Sequence, residues 1–152
     1  MNKKRVDELI PAAYLKIKTV GIADENGVIE ENYRGQISSF GSALTMGSLL
    51  SAVAFFCDKG SSEAERPKLM QAIWLLLDYP GFNRAPSPDE KEGGKVIKTS
   101  AQIDAEKLFS EISRSEREKR LMKAKIIDAA IALKLAMNLY RLEKKGGAIQ
   151  ND

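Results

Sequence analysis

The sequence contains no histidine. That absence removes histidine-activated serine or cysteine nucleophiles, histidine general bases and histidine metal ligands together. It contains one cysteine, Cys57, so no internal disulfide and no cysteine-rich zinc site can be built. A single unpaired cysteine suits a reducing compartment. The start, Met1-Asn2-Lys3-Lys4-Arg5, meets Asp7 and Glu8 where a secretory leader needs an apolar stretch. Both features lead us to expect a cytoplasmic protein. Charge of one sign is also scarce in excess: 24 basic against 21 acidic residues leave +3, a mild bias toward a polyanionic partner.

What is present is the length of one domain, 152 residues, with 43% hydrophobic and 30% charged residues. Glycine and proline break the chain at residues 21–27, 60–62, 79–95 and 146–147, and the pattern between the breaks is helical, without a convincing strand period. We therefore expect an all-α single-domain bundle of about five to six helices. Residues 79–95, rich in proline and glycine, read as a flexible loop, and residues 146–152 as a disordered tail.

Five segments carry the helical pattern. In residues 2–20, Val6, Leu9, Ile10, Ala13, Ile17 and Val20 recur at three- and four-residue spacing, with Pro11 predicting a kink or a late start. Residues 33–58 form the second segment, and no charge occurs from Gln36 to Cys57. The polar side chains Gln36, Ser38, Ser39, Ser42, Thr45, Ser48 and Ser51 speak against a membrane span there and for an enclosed helix. Its core contacts are predicted to be Ile37, Phe40, Leu44, Leu49, Val53 and Phe56. The third segment, residues 63–78, starts at a Ser62–Glu65 capping box with Pro67 in its first turn. The fourth covers residues 100–113. The fifth covers residues 115–145, capped by Ser115 and Glu118, and is apolar nearly all round from Ile126 to Leu142. Such a helix is either the centre of the bundle or a contact for another subunit.

Catalytic and ligand patterns fail one by one. Ser39 lacks the glycine two residues before it that a nucleophile elbow needs; Ile37 is there. Gly94-Lys95 lacks the earlier glycine and the following hydroxyl of a P-loop. Asp24-Glu25-Asn26-Gly27 looks like half a calcium loop, but Ile22 stands where the first aspartate belongs, so a plain turn is expected. We expect no enzyme activity, no cofactor, no metal site and no small-molecule substrate.

Positive charge remains. Lys123, Lys134, Arg141 and Lys145 fall on one side of the fifth segment at about 100° per residue. Lys16 and Lys18 belong to a second basic cluster near the N-terminus. A solvated face explains an isolated stripe of this kind; a track for a phosphate backbone explains it equally, because phosphates need point charges without base-edge geometry.

The second segment adds a resemblance. Tyr33-Arg34-Gly35-Gln36-Ile37-Ser38-Ser39-Phe40-Gly41, followed without a gap at the right spacing by Leu49-Leu50-Ser51-Ala52-Val53-Ala54-Phe55-Phe56, resembles the signature of the small all-helical subunit of the type III-B CRISPR (Cmr) RNA-guided interference complex. That family typically shows Tyr-x-Gly-x-Ile-Ser-Ser-Phe-Gly and then Leu-Leu-Pro-Ala-Leu-Ala-Phe-Tyr. Ile10-Pro11 with Tyr14, and a long basic and apolar terminal helix, are similar too. This chain has Ser51 where the family usually has proline and Phe56 where tyrosine is common.

The resemblance implies a non-catalytic subunit that stacks in several copies beside the backbone subunits and lines the groove for guide RNA and target RNA. On that basis Lys16, Lys18, Arg34, Lys123, Lys134, Arg141 and Lys145 are the expected RNA contacts. Arg34 also has a local reading, as an ion-pair partner of Glu30 or Glu31. Leu121, Leu135, Leu139 and Leu142 are the expected interface between copies. The equivalent subunit of a type III-A complex shares this fold and role. A helical adaptor with protein partners alone is the alternative from another class.

Overall fold

The computed structural model describes residues 1–57, 66–77 and 115–144. The N-terminal periodicity becomes helix α1, Lys3–Thr19, capped by the Asn2 side chain, which accepts the Arg5 N–H at 3.2 Å. Val6, Ala13 and Ile17 are its buried stripe. Pro11 neither delays nor ends the helix, contrary to a late start. Both Pro11 and Asp7, whose carbonyl loses its helical donor, lie on the exposed face, where that carbonyl is open to solvent.

Residues 24–27 form the expected turn. Asp24 Oδ1 accepts the N–H groups of Asn26 and Val28, each at 2.9 Å, and Gly27 sits at φ +72°, which favours glycine. The turn feeds strand β1, Val28–Glu30, which leads straight into helix α2, Glu31–Met46.

The long uncharged segment is two helices. α2 ends at Met46, and α3, Leu49–Cys57, follows after Gly47 and Ser48. Ser48 starts α3 by accepting the Ser51 N–H at 3.1 Å. Tyr33, Ile37, Phe40 and Leu44 of α2 and Leu49, Ala52, Val53 and Phe56 of α3 are buried, with the Phe40 and Phe56 rings edge to face at 4.8 Å. No helix among the described residues is long and apolar enough to cross a membrane. Helix α4, Arg66–Leu77, has Pro67 in its first turn as predicted and buries Leu69, Ile73 and Trp74. The Ser62–Glu65 capping box, the residue 79–95 loop, the residue 100–113 helix and the residue 146–152 tail lie outside the described residues.

Helix α5, Glu116–Met137, is capped by Ser115, whose hydroxyl accepts the Glu118 N–H at 3.1 Å. It is the centre of the bundle, packed by α1, α2 and α4. Its pattern does not run on to residue 145. The helix stops at Met137, and Arg141–Glu143 form a second strand, β2. β2 pairs in parallel with β1, Val28 opposite Arg141 and Glu30 opposite Glu143. Tyr140 and Leu142 prolong the apolar spacing because tertiary contacts bury them, although the chain is no longer helical there.

The described part is thus an all-α bundle with one short parallel strand pair. α1 runs parallel to α5, since Arg5 meets Asp128 and Tyr14 meets Tyr140. α2 runs antiparallel to α5, since Lys123 reaches Gly47 and Lys134 lies beside Ser38. Asp128 sits about 120–140° around α5 from Lys123 and Lys134, so the two helices occupy different flanks of α5.

Candidate nucleic-acid interface

Antiparallel packing of α2 on α5 brings two expected RNA contacts together. Arg34 and Lys134 line one open polar groove with Asn32, Gly35, Gln36, Ser38 and Ser39. Glu31 lines it too, so two cations face one anion and the wall is net +1. Neither cation is engaged: among the described residues Arg34 and Lys134 make no ion pair, and Arg34 pairs with neither Glu30 nor Glu31. An unpaired cation in an open groove keeps its donors available for an incoming anion.

The groove continues into a trough that shares Ser38 and Lys134 and adds Ser42, Thr45, Ile127 and Ile131. A Cβ added at Gly41 would meet nothing within 4 Å, so the trough is open there. At the far end, Lys123 Nζ donates to the Gly47 carbonyl at 3.4 Å and holds the C-terminal end of α2, where the helix dipole favours a cation. Lys123 and Lys134 are eleven residues apart, on the same side of α5 and about 16 Å apart along its axis.

The hydroxyls of this face share one habit. Ser38 donates to the Arg34 carbonyl at 2.8 Å, Ser39 to Gly35 at 3.0 Å, Ser42 to Ser38 at 3.2 Å and Thr45 to Gly41 at 2.8 Å. These are bonds from residue i back to residue i−4 within the helix.

The remaining expected contacts lie elsewhere. Lys16 and Lys18 occupy the last turn of α1, and neither lines the groove. Arg141 is exposed on β2, so the single helical stripe expected to carry it does not exist. Lys145 lies outside the described residues. Of the leucines, Leu121, Leu135 and Leu139 are 56%, 42% and 65% exposed. Leu121 sits about 140–160° around α5 from Lys123 and Lys134, and Leu139 lies past the end of the helix. Leu142 is half-buried and packs against the core, which withdraws it from that surface.

Two features escaped the sequence reading. Asp128 lies within the otherwise apolar stretch from Ile126 to Leu142 and is 1% exposed, paired with Arg5. A lone acid at a position of the buried spacing was the available signal. Tyr140 stacks on Tyr14 at 4.5 Å and donates its hydroxyl to the Tyr14 carbonyl. Burial, and then the neighbouring Tyr14, raise the Tyr140 hydroxyl above the ordinary tyrosine pKa. At the start of α5, the hydrogen bond from Lys119 holds Glu116 below the usual carboxylate range. Among the described residues, no group of three acids or cysteines is placed to hold a metal ion. Compared with family models, curated proteins and solved structures, the chain matches none.

Proposed function

We propose that this chain is a non-catalytic, cytoplasmic small subunit of a type III-B CRISPR interference complex, and that it holds guide RNA and target RNA through Arg34 and Lys134. The observation that carries this reading is the pair of unengaged cations in one open polar groove. The resemblance supports it from the sequence side. Its Tyr33, Ile37 and Phe40 point into the core, while its Arg34, Gly35, Ser38 and Ser39 line the groove. A motif split in this way spends half its positions on the fold and presents the other half to a ligand. Phosphate contact of this kind is independent of sequence, because base pairing to the guide supplies the selection. Exposed Leu121, across α5 from the groove, together with Leu135 and Leu139, suits contact with further copies or with backbone subunits.

Those leucines would serve a protein-only adaptor equally well, so RNA binding separates the two readings. The test is fluorescence anisotropy with labelled single-stranded RNA across a salt series. The logarithm of affinity should fall linearly with the logarithm of salt, by about 0.7 per phosphate neutralised. R34A/K134A should weaken binding and flatten that line, whereas K16A/K18A should leave the slope unchanged. No RNA binding at low salt would overturn the proposal in favour of the adaptor.

A further inference from the structure

A hydroxyl has one proton and two acceptor lone pairs. In the cleft between α2 and α5, the protons of Ser38, Ser42 and Thr45 are all committed to the helix's own carbonyls. All three side chains line the trough, so what they offer there is lone pairs. The floor between them is apolar, formed by Ile37, Ile127 and Ile131, and brings no donor of its own. Donors are concentrated at one end of the cleft, on Arg34 and Lys134.

This division of charge and polarity selects an occupant. The cationic end fits a phosphate. A strand anchored there and laid along the trough meets a row of acceptors, about one helical turn or less apart. A phosphodiester offers nothing to them, and neither does a deoxyribose. Bases carry donors, but these change with sequence. The 2′-hydroxyl of ribose is a donor that recurs at every nucleotide. We propose that Ser42 and Thr45 accept hydrogen bonds from ribose 2′-hydroxyls, and so make the Arg34–Lys134 groove prefer RNA to DNA. The inference rests on the nucleic-acid reading above and adds to it the residues that tell the two sugars apart.

The test uses the full chain and one labelled oligouridylate sequence in three forms: ribose, 2′-deoxyribose and 2′-fluororibose. The fluoro form keeps the ribose-like pucker and lacks the donor. The ribose form should bind about five- to tenfold more tightly than the other two, the ratio that one or two neutral hydrogen bonds supply. S42A/T45V should bring ribose binding down to the deoxyribose level and leave deoxyribose binding as it was. Alanine is the better helix former and valine matches threonine in shape and propensity, so this variant keeps α2. Equal binding of ribose and deoxyribose forms, or a preference that survives S42A/T45V, would overturn the inference while leaving the phosphate groove standing. Failure of all three forms to bind would overturn the groove itself.

Discussion

The Arg5 guanidinium lies 3.0 Å from the Asp128 carboxylate, and this pair ties the first turn of α1 to the middle of α5. Asp128 is almost wholly enclosed, while the Arg5 side chain is partly exposed. The second carboxylate oxygen accepts the Asn2 backbone N–H at 3.0 Å, so both oxygens are satisfied. A buried carboxylate is costly unless paired and hydrogen-bonded, and here a half-exposed arginine and the start of a helix do both.

The two halves of the pair should therefore respond differently to deletion. R5A leaves an enclosed carboxylate without its cation and should cost about 2–3 kcal/mol, below the full buried-pair figure because Arg5 is partly solvated. D128A leaves a cation that can turn to water and should cost about 1 kcal/mol. The double variant should resemble D128A alone. Urea denaturation of the three variants checks the order, and an R5A milder than D128A would contradict it.

Much of this architecture could be read from residue spacing. Val6, Ala13 and Ile17 mark the buried face of α1, and Ser115 with Glu118 marks the start of α5. The β1–β2 pair could not be read. Three residues define no period, and the partners Val28 and Arg141 are far apart in sequence. The end of α5 was hidden for a related reason. Tyr140 and Leu142 are buried by other elements, so the apolar rhythm continues after the helix has stopped. The site was legible in its parts. Lys134 stands out as a cation between leucines and Arg34 lies inside the Tyr33–Gly41 motif, but only the antiparallel packing of α2 on α5 puts them in one groove. Arg141 shows the converse: a helical wheel drawn past Met137 assigns it to a face that the strand does not have.

The break between α2 and α3 depends on Gly47 for space. A Cβ there would come within 2.8 Å of the Ala43 carbonyl oxygen, a backbone atom that cannot move aside. G47A should therefore lower stability by about 1–3 kcal/mol through overpacking. Gly41, inside α2 and six residues earlier, is the control. Its Cβ would meet nothing within 4 Å, so G41A should raise stability by up to about 1 kcal/mol through helix propensity. Thermal melts of the two variants should move in opposite directions.

Tyr140 sets an alkaline dependence. Its folded pKa lies above the ordinary value of 10.0, owing first to burial and then to Tyr14. Below the unfolded value the hydroxyl is protonated in both states, and its bond to the Tyr14 carbonyl contributes in full. As pH rises past that value the unfolded chain loses the proton first, so stability falls until the folded pKa is passed. Between about pH 8 and about pH 11, the wild type should lose more stability than Y140F, which has no such proton. Y140F should also be less stable by about 1 kcal/mol at neutral pH, having lost the hydrogen bond. Urea midpoints for both proteins at the two pH values test this, and parallel slopes would refute it.

The exposed leucines make the last prediction. Leu135, in the last turn of α5, and Leu139, just past its end, are 42% and 65% exposed, beside Ala136 and Met137, which are fully enclosed. Apolar side chains left open beside a finished core contribute nothing to the fold, so replacing them should spare it. L135Q/L139Q, which adds no charge, should keep the melting temperature within a few degrees of the wild type, since changes at exposed positions usually stay within about 0.5 kcal/mol. If copies stack through this flank, the wild type should show concentration-dependent mass in sedimentation and the variant should not. Neither leucine lines the groove of Arg34 and Lys134, so RNA affinity per chain should be retained by the variant. A variant that unfolds would instead assign the two leucines to the interior. One that stays folded but loses RNA would place the nucleic acid on this side of α5 and move the interface from the α2 groove.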